Sequence, residues 1–177
     1  MKAVVLKAFG GIENLEDREW PEPEPKEGEV KVRTRMISVN PTDYKARSGA
    51  SGGALPMLLG RDAAGVVEAV GAGVGDFRPG DEVMCYLPRF GESGGEGYAE
   101  FVCVPAEFVR KKPAGISFSE AAALPLVSLT AYECVAVKSR IGKGESAFVA
   151  GGAGGVGTMA IQILRHLGAD PIACTAG

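Results

Sequence analysis

The chain has 177 residues, of which 46% are hydrophobic and 23% charged, and its formal net charge is -3. This composition is typical of a folded chain of one or two domains and excludes a disordered one. The mild acidity gives no electrostatic reason to expect nucleic acid as a partner, and no apolar run is long enough to predict a membrane-spanning helix.

The N-terminus alternates polar and apolar residues and predicts a strand over residues 2–8. Only four apolar residues precede the charge of Lys7, which is too short for the core of a signal peptide. We therefore expect a cytoplasmic protein that does not bind membranes.

The first two thirds of the chain consist of short strands between glycine and proline signals. Prolines and charges alternate over residues 20–28 and predict an extended connector. Further strands are predicted over residues 30–39, 64–70, 81–87 and 98–104. We expect a β-rich, partly closed domain over residues 1–115.

After residue 115 the hydrophobic period changes to that of helices. Ser117 and Glu120 form a capping-box pattern, and helical sequence follows, is interrupted by Pro125 and resumes over residues 129–137. A strand is predicted over residues 146–150, a helix with Val156, Ala160, Ile163 and Leu167 on one face, and a second strand over residues 171–175. Residues 116–177 therefore predict the start of an α/β domain.

A glycine motif lies between the predicted strand and helix of this second domain. Residues 152–157 read Gly-Ala-Gly-Gly-Val-Gly, which fits the pattern G-x-G-x-x-G in its required context. Without side chains, the backbone N–H groups and the helix start can approach a pyrophosphate. The motif predicts dinucleotide binding, and the alternative is a tight turn without a ligand.

The residues that follow the motif suffice for about one βαβ unit, whereas a doubly wound sheet has about six strands. We expect the chain to be a fragment of a longer protein, or to be completed by a partner segment.

Cysteine and histidine are sparse. Cys85, Cys103, Cys134 and Cys174 are far apart in apolar surroundings and predict buried free thiols. The single histidine, His166, is expected on a solvated face near a helix end. No zinc site is predicted, because clustered ligands are lacking.

The chain resembles the medium-chain dehydrogenase/reductase superfamily, and most closely its zinc-independent quinone oxidoreductase (zeta-crystallin-like) branch. The resemblance covers the whole chain. It implies a GroES-like β domain followed by a Rossmann domain. It rests on residues 9–11, 28–32, 39–45, 47–49, 60–67, 80–83, 120–125 and 129–132, and on the glycine motif.

The resemblance also implies that zinc is absent. Zinc-dependent relatives carry a cysteine where this chain has Asn40 and a histidine where it has Arg61. A glycine-rich stretch at residues 90–98 replaces the lobe that holds four zinc cysteines in those relatives.

Cofactor residues are likewise implied by the resemblance. Asn40 matches a position near the nicotinamide ribose and the substrate, and Thr130 one near the nicotinamide end. Gly154, Gly155 and Val156 match the pyrophosphate cradle, within the motif bounded by Gly152 and Gly157. Thr175 stands where NAD-preferring relatives carry an acid, so NADPH is the expected cofactor and NADH the alternative.

Three residues have competing interpretations. Lys45 could stabilise an enolate, or be solvated or form an ion pair with Asp43 or another carboxylate. Tyr44 could donate a proton, or pack beside the cleft. Asp62 could orient the cleft, or make structural hydrogen bonds to nearby backbone.

The implied function is NADPH-dependent reduction of a small quinone or an α,β-unsaturated carbonyl. The alternatives are a non-catalytic fragment or binding protein of the same family and, disfavoured by the missing ligands, a zinc alcohol dehydrogenase. The expected partner is a small-molecule substrate, and a homo-oligomer is one alternative for the oligomeric state.

Overall fold

A computed structural model describes residues 1–50, 52–88 and 97–176. Clustering of contacts divides the chain into two compact units, Met1–Ala123 and Leu124–Gly177. We describe each unit by itself. The domain boundary predicted from the sequence, near residue 115, stays a prediction.

The first unit is built mainly of antiparallel strands. In its described part the strands are β1 (Lys2–Leu6), β2 (Leu15–Glu19), β3 (Glu29–Ile37), β4 (Met57–Leu58), β5 (Asp62–Val70), β6 (Glu82–Tyr86), β7 (Phe101–Pro105) and β8 (Val109–Lys111). They form a five-stranded sheet in the order β7-β3-β5-β6-β8 and a three-stranded sheet in the order β2-β1-β4. The five predicted strands correspond to β1, β3, β5, β6 and β7, as expected for the predicted β-rich domain.

The core of the larger sheet follows from strands with apolar residues on one face. Its fully buried side chains include Val30, Val32, Val83 and Val104. Gly65 of β5 lies so close to β3 that a Cβ there would be 2.1 Å from the carbonyl oxygen of Arg33. Glycine at this position therefore allows the two central strands to approach each other.

The proline-rich connector forms neither helix nor strand over residues 20–26, and residues 27 and 28 form a turn before β3. It is held by Lys31 of β3, whose Nζ lies 2.7 Å from Glu22 and 3.0 Å from Glu24. Burial alone would lower the pKa of Lys31, but the two carboxylates outweigh it and raise that pKa. At the start of the connector, Trp20 packs against Ala3, Val5 and Leu58 of the smaller sheet.

Two short helices complete the first unit. They are α1 (Pro41–Arg47) and α2 (Phe118–Ala122). Ala121 and Ala122 of α2 are buried against Ala64 of β5, with Met84, Ile116 and Phe118 around them. This packing places α2 in the first compact unit.

The second unit begins with α3 (Pro125–Tyr132), which continues as a π-helix (Glu133–Ser139). The interruption predicted at Pro125 is found, since α2 ends at Ala122 and α3 begins at Pro125. The helix resumes four residues earlier than the predicted position near residue 129. Pro125 is at the start of α3, where its missing N–H has no acceptor to lose.

The remaining elements are β9 (Ala147–Val149), α4 (Gly155–His166) and β10 (Ile172–Cys174), with β10 parallel to β9. This is the predicted start of a Rossmann fold. Helix α4 buries Ala160 and Leu164. Of the residues predicted to lie on one face of this helix, Ala160 is buried and Ile163 and Leu167 pack against the same cluster, whereas Val156, in the first turn, is 38% exposed. On β9, Phe148 is 68% exposed.

Candidate functional site

The first candidate region is a buried polar cluster at the start of α1. Ile37 at the end of β3 pairs with Ala63 of β5, so the residues after β3 lie beside the start of β5. Asn40 Nδ2 consequently lies 2.9 Å from Ser38 Oγ and 2.8 Å from Asp62 Oδ2. The hydroxyl of Ser38 donates to the same Asp62 oxygen at 2.5 Å. Asn40 and Asp62 are both buried.

Asp43 forms the other side of this cluster. Its Oδ2 accepts hydrogen bonds from the backbone N–H of Asn40 at 2.7 Å and from the Tyr98 hydroxyl at 3.3 Å. Burial raises the pKa of Asp43 despite these bonds and one from the Gly60 backbone, and the charge of Asp62 adds to the rise. Burial and the Asp43 charge also raise the pKa of Tyr98.

Tyr44 and Lys45 lie on the exposed side of α1. Tyr44 is 53% exposed, and Lys45 is exposed. Among the described residues Lys45 makes no ion pair within 4.0 Å, so the proposed pairing with Asp43 is not found. Buried Asp43 and Ala46 are on the opposite face of the same helix.

Asp62 makes structural hydrogen bonds, which the sequence analysis gave as one alternative, and these include contacts with two side chains. Its carboxylate accepts from Ser38 and Asn40. Ser38 and Tyr98 were not singled out from the sequence. No motif marks them, and their relevance depends on strand pairing that brings distant segments together.

Arg61 stands where zinc-dependent relatives have a histidine ligand. Its guanidinium lies over the Tyr86 ring, 5.1 Å from the centroid, and donates to the Tyr86 hydroxyl. A guanidinium is not a metal ligand. Across residues 1–50, 52–88 and 97–176, no group of three or more His, Cys, Asp or Glu side chains is arranged to hold a metal. Apart from Gly97 and Tyr98, the glycine-rich stretch at 90–98 lies outside the described residues.

Two of the cysteine predictions are wrong. Cys85 and Cys103 are buried, and burial raises the pKa of each to about 12. Cys134 and Cys174 are exposed. Cys134 lies in the π-helix, and Cys174 is the last residue of β10. All four are free thiols. His166 is exposed in the last turn of α4, as predicted.

The second candidate region is the glycine motif, which joins β9 to α4. Gly151, just before it, has φ of +73°, a conformation that favours glycine. The N–H of Gly151 donates to Thr175 Oγ1 at 2.8 Å, and that of Gly152 to the Thr175 carbonyl at 2.7 Å. Thr175, exposed after β10, therefore holds the start of the loop.

Side chains are excluded from two positions of the loop. A Cβ at Gly152 would be 2.7 Å from the Cβ of Cys174, and one at Gly157 would be 2.2 Å from the Gly151 carbonyl oxygen. A Cβ at Gly155 would be 3.0 Å from Val127. The glycines at 152 and 157 are thus needed for the turn itself, whether or not a ligand binds.

The loop also leaves hydrogen-bond donors at the helix start. Helix α4 begins at Gly155, and the first N–H bonded back to the loop is that of Thr158, to the Gly154 carbonyl at 2.8 Å. The N–H groups of Gly155, Val156 and Gly157 have no intrahelical acceptor. An open cavity of about 620 Å³ is lined by Gly151, Gly154 and these three residues. Such a cradle fits a phosphate or pyrophosphate.

Thr130 is exposed on α3. Its hydroxyl donates to the Leu126 carbonyl one turn earlier at 2.8 Å. The oxygen of this hydroxyl can still accept a hydrogen bond from a ligand.

Together, the GroES-like sheet and the glycine turn that opens α4 define the class of two-domain, dinucleotide-dependent proteins. The sequence pattern of the alcohol dehydrogenase GroES-like domain matches residues 26–114. The chain belongs to the medium-chain dehydrogenase/reductase superfamily.

The chain is similar to two oxidoreductases and to one solved dehydrogenase structure. The chain is 38% identical to an NADPH-dependent alkenal/one oxidoreductase, chloroplastic, of Arabidopsis thaliana, over 99% of this chain and 47% of the relative. It is 36% identical to a quinone oxidoreductase of Mus musculus, over 95% of this chain and 50% of the relative. A solved structure of an NAD-dependent alcohol dehydrogenase is 39% identical with a TM-score of 0.91, covering 100% of this chain and 58% of that one.

The chain thus spans about half the length of the curated relatives it matches. Among the described residues, no helix combines the length and apolar character that crossing a bilayer requires.

Proposed function

We propose that the protein acts in NADPH-dependent reduction of a small quinone or an α,β-unsaturated carbonyl. The observation that carries this proposal is the glycine cradle, in which the first three residues of α4 line an open cavity and have backbone N–H groups without an intrahelical acceptor. The names of the similar alkenal/one and quinone oxidoreductases support the substrate class.

The cradle's role is to bind the pyrophosphate. The N–H groups of Gly155, Val156 and Gly157 donate to its oxygens, and the helix dipole favours its negative charge. The hydroxyl of Thr175 keeps its own hydrogen available, because its oxygen accepts from Gly151. A hydroxyl there does not repel a 2′-phosphate as an acid would, which favours NADPH over NADH.

By the family resemblance, Asn40, Tyr44 and Lys45 are assigned to the reacting end. Thr130 is assigned to the nicotinamide end of the cofactor. Asn40 hydrogen-bonds the ribose or the substrate, and the Lys45 ammonium stabilises the negative oxygen of the enolate or hydroquinone anion. Tyr44 or water supplies the proton that completes the reduction. When bound, NADPH supplies the hydride that adds to the electron-poor carbon of the substrate.

The remaining features of this proposal are a cytoplasmic location, a small-molecule substrate as partner, no bound zinc, and no membrane or nucleic-acid partner. A homo-oligomer is the alternative to a monomer.

The test is a calorimetric titration of the protein with NADPH and, separately, NADH. Saturable binding that is tighter for NADPH is expected, followed by substrate-dependent loss of NADPH absorbance with a quinone or an enone. A folded protein that binds neither nucleotide would contradict the proposal and favour a non-catalytic member of the family. Stoichiometric zinc in the purified protein would favour the zinc alcohol dehydrogenase.

A further inference from the structure

The side-chain amide of Asn40 is held in a closed set of hydrogen bonds. Its nitrogen carries two hydrogens, and the structure directs them to Ser38 Oγ at 2.9 Å and Asp62 Oδ2 at 2.8 Å. The Ser38 hydroxyl donates its single hydrogen to the same Asp62 oxygen at 2.5 Å. The three side chains therefore form a triangle around one carboxylate oxygen.

The chemistry of these partners fixes the direction of the amide. An ionised carboxylate only accepts hydrogen bonds. Ser38 has donated its hydrogen to Asp62, so it faces Asn40 with a lone pair. Both partners therefore require a donor from Asn40, and a rotated amide would place its oxygen against two acceptors. Oδ1 of Asn40 is left outside this pair of contacts. It faces the backbone N–H of Asp43 in the capping box that starts α1, and an amide oxygen with two lone pairs can accept a second hydrogen bond from a ligand.

We propose that Asp62 is a positioning residue, which with Ser38 turns the Asn40 amide so that its oxygen, and not its nitrogen, is offered to the cofactor or substrate. This inference rests on the proposed function only in assigning Asn40 to the reacting end. It follows that Asn40 accepts a hydrogen bond from a donor on the ligand, such as a ribose hydroxyl. Asn40 then does not stabilise an enolate, and that role belongs to a cation or hydroxyl such as Lys45 or Tyr44.

The orientation can be measured without ligand by NMR. The chain contains two asparagines and one glutamine, so three side-chain NH₂ groups appear in its spectrum. Those of Asn14 and Gln162 donate to backbone carbonyls at exposed positions and serve as internal references. We expect the two NH₂ hydrogens of Asn40 to exchange with solvent at least about tenfold more slowly than those of the two references. The reason is that Asn40 is buried and its NH₂ group is hydrogen-bonded. Equal exchange rates would overturn the inference.

The contribution to binding is tested by exchanging the two groups. Asp62→Ala and Asn40→Asp should each weaken NADPH binding about tenfold, the effect of losing one hydrogen bond. In the double variant Asn40→Asp, Asp62→Asn the new asparagine donates to the new aspartate, which still offers an oxygen outward. This variant should bind NADPH within about threefold of the wild type.

The control variant is Asp76→Asn, which removes the same charge from an exposed residue and should leave binding unchanged. Ser38→Ala retains the charge of Asp62. It should speed exchange of one Asn40 hydrogen even if Asp62→Ala fails to fold.

The two proposals fail in different ways. If the wild type does not bind NADPH, the proposed function is contradicted, while exchange of the Asn40 hydrogens still decides the orientation. If the wild type binds NADPH and the double variant is as weak as the product of the single effects, the positioning role of Asp62 is refuted. Restored binding in the double variant supports it, since a merely structural loss would not be rescued.

Discussion

Lys45 is exposed on α1, and its charge has no partner within salt-bridge distance among the described residues, whereas the carboxylates of Asp43 and Asp62 nearby are buried and bonded. A cation in this state keeps its full donor capacity for a ligand. The same freedom is typical of an ordinary solvated lysine, so a kinetic measurement has to distinguish the two.

Lys45→Ala should lower kcat for quinone or enone reduction about 10- to 100-fold, because a donor to the developing oxyanion is lost. NADPH affinity should change little. Steady-state kinetics beside an NADPH titration check this, with Lys26→Ala, an exposed lysine of the connector, as control. Unchanged turnover would assign Lys45 to the solvated surface.

The four thiols should divide into two reactive pairs. Cys134 and Cys174 are exposed, whereas Cys85 and Cys103 are buried and their pKa of about 12 keeps them protonated near neutral pH. Alkylation mapped by mass spectrometry should modify Cys134 and Cys174 in the native protein. Cys85 and Cys103 should react only after unfolding, and a uniform rate at all four would contradict the structure.

At the scale of single elements, the start of α2 is the most fully determined. Ser117 Oγ accepts from the Glu120 N–H at 3.2 Å, and the Glu120 carboxylate accepts from the Ser117 N–H at 2.8 Å. The capping box predicted from the sequence is therefore confirmed.

Ser117→Ala should lower the free energy of unfolding by about 1 kcal/mol, the usual effect of losing an N-cap. The hydrogen bonds from Ser117 lower the pKa of Glu120, so its contribution is present above the pKa of an unfolded glutamate. That contribution is lost as the pH falls through the lowered pKa of the folded state. Urea unfolding at neutral and acidic pH measures both effects, with Ser119→Ala, which is not the cap, as control.

Gly157→Ala should disrupt the glycine turn, because a Cβ there would lie 2.2 Å from the Gly151 carbonyl oxygen. We expect loss of nucleotide binding and a destabilised second unit, although alanine favours helix more than glycine does. Calorimetry and thermal unfolding check this. Gly142→Ala, whose Cβ would be 3.5 Å from Glu145 Oε2, should behave like the wild type.

Local patterns predicted these elements where the signal lies within a few consecutive residues. The capping box, the glycine turn and the longer strands of the first unit are of this kind. The sequence did not predict β2, β4, β8 or α1, which are short or owe their stability to neighbours in space. The contacts of Asn40 with Ser38 and Asp62 depend on the register of β3 against β5, which no local pattern specifies.

At the scale of the whole molecule, the two units differ in how well their sheets are enclosed. In the first unit β3 and β5 each have a strand on both sides, and ten buried residues form the main core cluster around them. In the second unit β9 and β10 pair only with each other among the described residues, and Phe148 of β9 is largely exposed.

Hydrogen exchange should therefore be slowest at the central amides of β3 and β5 and much faster at those of β9 and β10. Two-stranded sheets with an uncovered face open at a lower free energy than the centre of a five-stranded sheet. Exchange followed residue by residue provides the comparison, with β1, at the centre of the three-stranded sheet, as an intermediate reference. Equal protection in the two units would show that the second unit is stabilised by something other than its own core.

The packing of Trp20 against Ala3, Val5 and Leu58 makes it a built-in optical probe. It is the only tryptophan in the chain, so fluorescence excited selectively at indole reports from one place, the edge of the smaller sheet in the first unit. Its emission would shift to the red when that sheet unfolds. Unfolding of the glycine turn, which belongs to the second unit and has no tryptophan, would not change the signal. A spectroscopist following the folding of this protein would therefore need a second label on α4 to observe both halves.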